Sequence, residues 1–472
     1  MTDDWANSRA EPGLDLHLEL PRGGKTEALA AAIRGAVREG RLAPGTRLPP
    51  SRSLARDLGV ARNTIAEVYG LLTAEGWLLA RTGAGTWVGP RPDAAAPPRG
   101  VEPWIVPPLD LRGGIPDASA FPRTEWAAAV RRAAQTASAA ELGYPPPLGL
   151  PVAREALADY LARARGVHAS PARVAVGRGF GDLLAVTARA LHAGGARTVA
   201  VEEYGHQSHR DILSAAGLCI RPLTVDGDGA VIDELDADVV LLTPAHQFPT
   251  GVPLSPSRRA AVVDWARRAG GTIIEDDYDG EFRYDFRAIG ALQALAPEHV
   301  VYLGTASKSL APAIGMGWAV VPDRMLESLA EARLPLGRGA DPLTQRALAD
   351  FIAGHHYDRH VRRQRAAYRA RRESLADALA DIPGARLGGL AAGLQCVVEL
   401  PADVSEAEVV AATAREGVGL QGLASYLPAG RASRRGPALV VGYGAPPEHL
   451  VGEAFAAIAN AIRFAPRAPG RG

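Results

Sequence analysis

The chain has 472 residues, 47% hydrophobic and 22% charged, with a formal net charge of zero. That length calls for two or three compact units, and the apolar content is ample for their cores, which excludes wholesale disorder. Two cysteines, Cys219 and Cys396, exclude a disulfide scaffold, and neither a secretion signal nor a run of ~18 apolar residues is present, so the sequence predicts a cytoplasmic protein.

In TEALAAAIRGAVREG, Leu29, Ile33 and Val37 recur at helical spacing and Gly40 stops the helix. Ser51 is placed to cap a short second helix in SRSLARDLG, where Leu54 and Leu58 share a face. After a turn at Gly59 and Val60, the spacing of Ile65, Val68, Leu71 and Leu72 predicts a third helix that closes at Gly76. WLLARTGAGTWVG then reads as a hairpin around Thr82, Gly83, Ala84 and Gly85. Together these elements predict a winged helix-turn-helix domain over residues 1–89, with its core at 22–88.

Between residues 22 and 88 ten basic residues face five acidic ones, a local charge of +5 in a neutral chain. Positive charge supplies the sequence-independent attraction to phosphates, while specificity needs donors at the start of the second helix of the motif. Arg62, Asn63 and Thr64 stand there, suited to guanine, to adenine, and to a phosphate or thymine methyl respectively. The plainer alternative is a helical hairpin used for protein contacts. The segment EGRLAPGTRLPPSRSLARDLGVARNTIAEVYGLLTAEGWLLARTGAGTWV resembles the winged helix of the GntR family across nearly its whole length. The resemblance implies DNA contacts from Arg52, from Arg62, Asn63 and Thr64, and from Gly83 and Gly85 at the wing tip. Where many relatives carry a further basic residue in the recognition helix, this chain has Ala66.

A Pro- and Ala-rich stretch without apolar period, residues 90–108, reads as a semi-extended linker. In the remainder, 109–472, the apolar runs VAVG, TVAVEE, DVVLLTP, TIIEDD and VVYLGT alternate with helical stretches. This pattern predicts an α/β domain built on a parallel sheet covered on both faces. From about Arg333 an Arg-rich helical region followed by LQCVVEL and ALVVGYG predicts a smaller α+β subdomain.

Of the 52 basic residues only Lys25 and Lys308 are lysines. A guanidinium replaces an ammonium on a solvated surface, but only a primary amine forms a Schiff base. Lys308 follows the run VVYLGT, so its amine emerges at a strand's C-terminal end, where open α/β sheets bind ligands. Asp276 and Tyr278 stand at the end of TIIEDD. Pyridoxal phosphate needs a lysine and a carboxylate at the pyridine nitrogen; Lys308 and Asp276 supply both, and Tyr278 is a donor for the ring 3′-oxygen. A calcium loop is disfavoured because a strand enters it.

The turn VGRGFGD has the look of a dinucleotide fingerprint, but Asp182 occupies the third small-residue position and its charge repels a pyrophosphate. The amides of Gly179 and Phe180 still suit a single phosphate. The hydroxyls of Thr305 and Ser307 add to it; Arg178, in the same turn, reads either as a surface residue or as a further grip on the phosphate. His356 and His360, four apart in GHHYDRH, read as a solvated helix face, and no metal is expected.

Residues 109–472 resemble fold-type I aminotransferases, and TPAHQFPTGVPLS, IIEDDYDGEFRYD and YLGTASKSLAP behind a GntR-like head resemble the MocR subfamily of transcriptional regulators. The resemblance implies pyridoxal phosphate as cofactor, with Lys308 as the internal-aldimine lysine, Asp276 at the pyridine nitrogen, Tyr278 at the 3′-oxygen, and Thr305 and Ser307 at the phosphate. It also implies a homodimer in which Tyr144 reaches the neighbouring subunit's phosphate, and it puts His206 in the place of the ring-stacking aromatic. Gly315 stands where a phosphate-gripping arginine is usual, and Val440 stands where aminotransferases clamp an α-carboxylate with arginine. These departures point to a regulator that binds operator DNA and senses pyridoxal phosphate, with an amine or amino acid as a second effector, rather than to turnover. The alternative is an active aminotransferase with an accessory DNA-binding head.

Overall fold

The computed structural model describes residues 25–81, 85–89, 107–233, 235–284, 289–337 and 339–467. By its contacts the chain divides into two units, Met1–Ile105 and Val106–Gly472.

In the first unit three helices, Lys25–Arg38, Ser51–Asp57 and Arg62–Ala74, precede an antiparallel hairpin of Leu78–Arg81 and Gly85–Val88. Leu29, Ile33 and Val37 meet Leu54, Ile65, Val68 and Leu72 in one core, and each such side chain contributes about 1.5–3 kcal/mol on burial. Leu71 remains 37% exposed, because neighbours on a helix point ~100° apart and only one of the pair faces inward. Ser51 opens its helix without capping it; Pro50 holds the cap position with φ −57° and no side chain bonds the free amides. Gly59 and Gly76 end the second and third helices at φ 64° and 82°, a region that only glycine enters cheaply. Arg34 ties the first helix to the end of the third through two bonds to Glu75, at 2.8 and 2.7 Å.

The second unit is built on a seven-stranded sheet. Its spatial order is Val174–Gly177, Gly317–Val320, Val300–Thr305, Thr272–Asp277, Val239–Leu242, Thr198–Glu202 and Cys219–Leu223. The five apolar runs expected as strands are all present. Gly317–Val320, however, pairs antiparallel with both neighbours, so the sheet is mixed and not wholly parallel. It was not foreseen because GWAV opens within the glycine-broken segment IGMG, which reads as a turn. Cys219–Leu223 was not foreseen either; it contains Arg221 and Pro222, which a strand tolerates at a sheet edge, where this one lies. Along Val174–Gly177 alternate side chains enter different cores: Val174 and Val176 join one, Ala175 the other. Both faces are therefore buried, as expected of a helix-covered sheet.

A second, antiparallel sheet orders Arg386–Gly388, Gln395–Glu399, Ala438–Gly442 and Gln421–Gly422. The long helix His356–Leu379 and the last helix Val451–Arg463 share its core through Leu375, Leu379, Phe455 and Ile458. Leu109–Asp110 pairs with Val418–Gly419 in this part of the unit, a long-range pairing too short to leave a sequence signal. His356 and His360 do not make a solvated face: His360 is buried, and His356 stacks on Phe351 at 5.4 Å. Among the described residues no cluster of metal-ligating side chains occurs, and no helix is long and apolar enough to cross a membrane.

Candidate functional site

The C-terminal ends of Thr198–Glu202, Thr272–Asp277 and Val300–Thr305 open on a cavity of about 440 Å³. Successive residues of a strand face opposite sides, and this separates the two aspartates of EDD. Asp277 turns to the buried Arg165, which holds it with two bonds of 2.7 and 3.1 Å, and Tyr302 donates to it at 2.7 Å. Asp276 lines the cavity. Its Oδ1 is buried and without a hydrogen-bond partner among the described residues. Burial, then the charges of Asp277, Asp279 and Glu202, hold its carboxyl well above the usual range. Glu202, fully buried on the same wall, is pushed up to about 7 by burial and accepts from Thr243 Oγ1 at 2.6 Å.

Lys308 reaches the same cavity from the turn after Val300–Thr305. Its Nζ donates to Gly114 O at 2.6 Å, and burial lowers its pKa against the opposing pull of Asp276 and Asp279. Gly114 takes φ 78°, and a Cβ there would stand 3.4 Å from Nζ, so glycine lets the backbone approach the amine. The group this site would hold, a pyridine ring with an aldehyde, needs a nearby primary amine and an acceptor for its ring N–H; Lys308 and the orphaned Asp276 Oδ1 fit both needs.

The turn expected to receive a phosphate is formed by Gly179, at φ 123°, capping the helix Phe180–Ala193. Asp182 lies on the cavity wall, yet its charge is answered locally: it accepts from Arg178 N at 2.9 Å, and the buried Arg333 bonds both its oxygens at 2.7 and 2.8 Å. The repulsion expected of Asp182 toward a phosphate is thereby reduced, by a partner 151 residues away in sequence. Arg178 lines the mouth with a side chain 59% exposed, donating to Leu336 O at 3.3 Å. Thr305 Oγ1 and Ser307 Oγ lie 2.9 Å apart. Gly315 takes φ 59°, and a Cβ there would lie 3.9 Å from Arg178 O, so a side chain at 315 would start beside the turn.

His206 is on the wall and stacks on Phe248 at 4.1 Å and 20°. Burial, then Lys308 and Arg210, push His206 down to about 4, and burial with His206 as neighbour pushes His209 down to about 3, so both rings are neutral. Val440 is fully buried in a cluster with Phe248, Tyr278 and Tyr426. Arg112, two residues before Gly114, is engaged by Asp110 at 2.8 and 2.6 Å. Tyr144 is 83% exposed and lies off the cavity wall. The sequence reading missed Phe248, Arg333, His246 and Gln395. The aromatic of HQFP after an apolar strand was the one available signal, since the others arrive through long-range topology.

In the first unit Arg52, Arg62 and Asn63 are exposed and Thr64 half-buried at the starts of their helices. Gly85 adopts φ 130° against the side chains of Arg47 and Trp87, while Gly83 lies outside the described residues. Replacing Arg62 by alanine is expected to weaken operator binding by roughly 1–3 kcal/mol and relax preference at one base pair. Binding titrations on operator and random duplexes at several salt concentrations check this. Equal weakening on both, with a shallower salt slope, would make Arg62 a phosphate contact.

Fold and site define a winged helix-turn-helix unit joined to an aminotransferase-like body. The family model for aminotransferase class I and II matches residues 110–426, and that for bacterial regulatory proteins of the gntR family matches 25–88. The chain belongs to the MocR-type family of helix-turn-helix transcriptional regulators that carry an aminotransferase class I and II domain. It is similar to the pyridoxine biosynthesis transcriptional regulator PdxR of Corynebacterium glutamicum, with 33% identity over 444 residues, 92% of this chain and 95% of that one. The probable rhizopine catabolism regulatory protein MocR of Rhizobium meliloti is 34% identical over 366 residues, 72% of this chain and 74% of the other. The body shares its fold with an archaeal alanine:glyoxylate aminotransferase, with a TM-score of 0.68, 21% identity and 76% and 91% of the two chains covered. A kynurenine aminotransferase of Pyrococcus horikoshii gives a TM-score of 0.67 at 21% identity with the same coverage.

Proposed function

We propose that this chain is a DNA-binding transcriptional regulator, acting in the cytoplasm as a homodimer, whose body senses pyridoxal phosphate and, through it, an amine or amino acid. The observation that carries the reading is the half-buried amine of Lys308 facing one cavity with the unpartnered Oδ1 of Asp276. When bound, the cofactor supplies an electrophilic carbonyl and an electron-withdrawing ring. Asp276 would accept the ring N–H, Tyr278 would donate to the ring oxygen, and the turn amides of Gly179 and Phe180 with Thr305 and Ser307 would hold the phosphate. His206, backed by Phe248, would cover the ring and exclude water. Arg52, Arg62, Asn63, Thr64, Gly83 and Gly85 read the operator, and Tyr144 reaches the partner's site. Residues 1–89 form the DNA-binding domain, 90–108 the linker, and 109–472 the sensing and dimerisation domain.

The valine at 440, buried in an apolar cluster, offers no charge to an α-carboxylate, which favours sensing over turnover of α-amino acids. Operator binding measured with and without added pyridoxal phosphate tests the proposal; an identical isotherm under both conditions refutes the sensing role. Steady turnover of an amino donor and a keto acid would instead establish the aminotransferase reading.

Gly315→Arg is expected to tighten cofactor binding by roughly ten- to a hundred-fold, since a charge-assisted hydrogen bond contributes about 1.5–3 kcal/mol. The left-handed backbone at 315 costs about 1–2 kcal/mol with a side chain, but in both bound and free states, so it lowers stability and leaves the affinity gain intact. Cofactor titration of the folded variant checks it. An unchanged affinity would mean that Arg178 already grips the phosphate.

A further inference from the structure

Tyr278 is embedded in hydrogen bonds that the assigned site residues do not account for. Gln395, on the second sheet, donates from Nε2 to the Tyr278 hydroxyl oxygen at 2.7 Å. On the other side His246 Nδ1 stands 3.1 Å from that hydroxyl and 2.8 Å from Asp279 Oδ2. All four groups are buried. Packing fixes them as well: a Cβ at Gly393 would stand 2.4 Å from both Asp279 Oδ2 and His246 Cε1.

The donor and acceptor inventory of this cluster has a direction. An ionised carboxylate only accepts, so the bond to Asp279 puts the His246 proton on Nδ1, and a ring nitrogen that carries hydrogen cannot accept another. Gln395 Nε2 only donates, so it occupies a lone pair of the tyrosine oxygen. Burial, then the charges of Asp279 and Asp276, keep the Tyr278 proton on its oxygen. Tyr278 therefore stands on the cavity wall with its hydroxyl oxygen engaged by Gln395 and its proton not taken by His246; Asp279, the remaining acceptor beside that hydroxyl, is already engaged by His246 Nδ1. In this tautomer His246 Nε2 is an acceptor, and it has no hydrogen-bond partner among the described residues, in a ring closed in by Gly251 and Gly393.

We infer that Gln395 and the His246–Asp279 pair are positioning residues that reserve the Tyr278 hydroxyl proton for an acceptor oxygen of the ligand in the cavity. The inference rests on the reading of that cavity as a pyridoxal phosphate site, and it selects for ligands that present an anionic ring oxygen at this point. A 3-hydroxypyridine with its oxygen deprotonated is of that class, and an analogue without the oxygen is not.

A double-mutant cycle tests it. Wild type, Gln395→Met, Tyr278→Phe and the double variant are titrated with pyridoxal phosphate, and both the dissociation constant and the absorption maximum of each complex are recorded. Methionine matches glutamine in length and has no donor, and it also removes the Gln395 Oε1 that lacks a partner in the core, so folding is expected to survive; circular dichroism and the thermal midpoint check this. The expected result is a loss of about tenfold in affinity with a moved absorption maximum for Gln395→Met. In the Tyr278→Phe background the same change should have less than a twofold effect and leave the maximum in place. Gln395→Leu, of different shape, must reproduce the loss. Equal losses in both backgrounds, no loss in the wild-type background, or a Tyr278→Phe variant that matches wild type would each overturn the inference while the wild-type protein still takes up cofactor. A wild-type protein that takes up none would overturn the reading of the cavity, and the inference with it.

Discussion

Lys308→Ala protein mixed with pyridoxal phosphate is expected to show none of the visible absorption that the wild-type complex shows. The expectation is of complete loss, since the second lysine of the chain, Lys25, belongs to the first unit and no other primary amine of a side chain exists to replace Lys308. Burial favours the uncharged amine by lowering its pKa, and an uncharged amine is the nucleophile that carbonyl chemistry needs. Borohydride reduction followed by peptide mapping locates the adduct in the wild type. An adduct on Lys25, or a band that survives in Lys308→Ala, would remove the lysine from the site. Lys308 Nζ bonds a backbone carbonyl, and although its charge also favours the ionised form of Asp276, that carboxyl is already held well above the usual range by burial, so the variant should fold.

The largest loss of stability is expected from Arg165→Ala. The pair Arg165–Asp277 is almost closed to solvent, with side chains 5% and 2% exposed at a separation of 2.7 Å. The guanidinium also donates to Gly280 O at 2.8 Å. Removing one member of a buried pair leaves the other charge unanswered, which costs about 3–5 kcal/mol. That is a large part of the ~5–15 kcal/mol by which a folded domain is usually stable. Chemical denaturation of the cofactor-free protein measures it. A cost below about 1 kcal/mol would mean that water reaches Asp277. The same change adds negative charge beside Asp276, so cofactor uptake by any folded fraction is expected to change along with stability.

The strand-end chemistry was legible because it rests on local sequence. The lysine is conspicuous in an arginine-rich chain, and a carboxylate at the end of an apolar run points where α/β sheets bind ligands. The alternation within EDD also decides which aspartate faces the cavity. What surrounds those residues was not legible. Gln395 lies 117 positions from Tyr278, and Arg333 lies 151 from Asp182; no local period announces either meeting. Asp182 was read as a carboxylate that would repel an anion at this turn, yet its charge is answered by Arg333. Gly317–Val320, running against its neighbours, shows the same limit for the fold: strand direction is set by the connection, which a four-residue apolar run does not encode.

The Asp182–Arg333 pair gives the phosphate turn its own internal counterpart. A loop meant only to grip an anion would leave its donors bare between occupants and would loosen whenever the anion left. Here one amide of the turn and an arginine behind it are already satisfied by a side chain of the same loop. The architecture does not need its guest in order to stand. An arriving anion would meet amides already held in place, with no loop to order first.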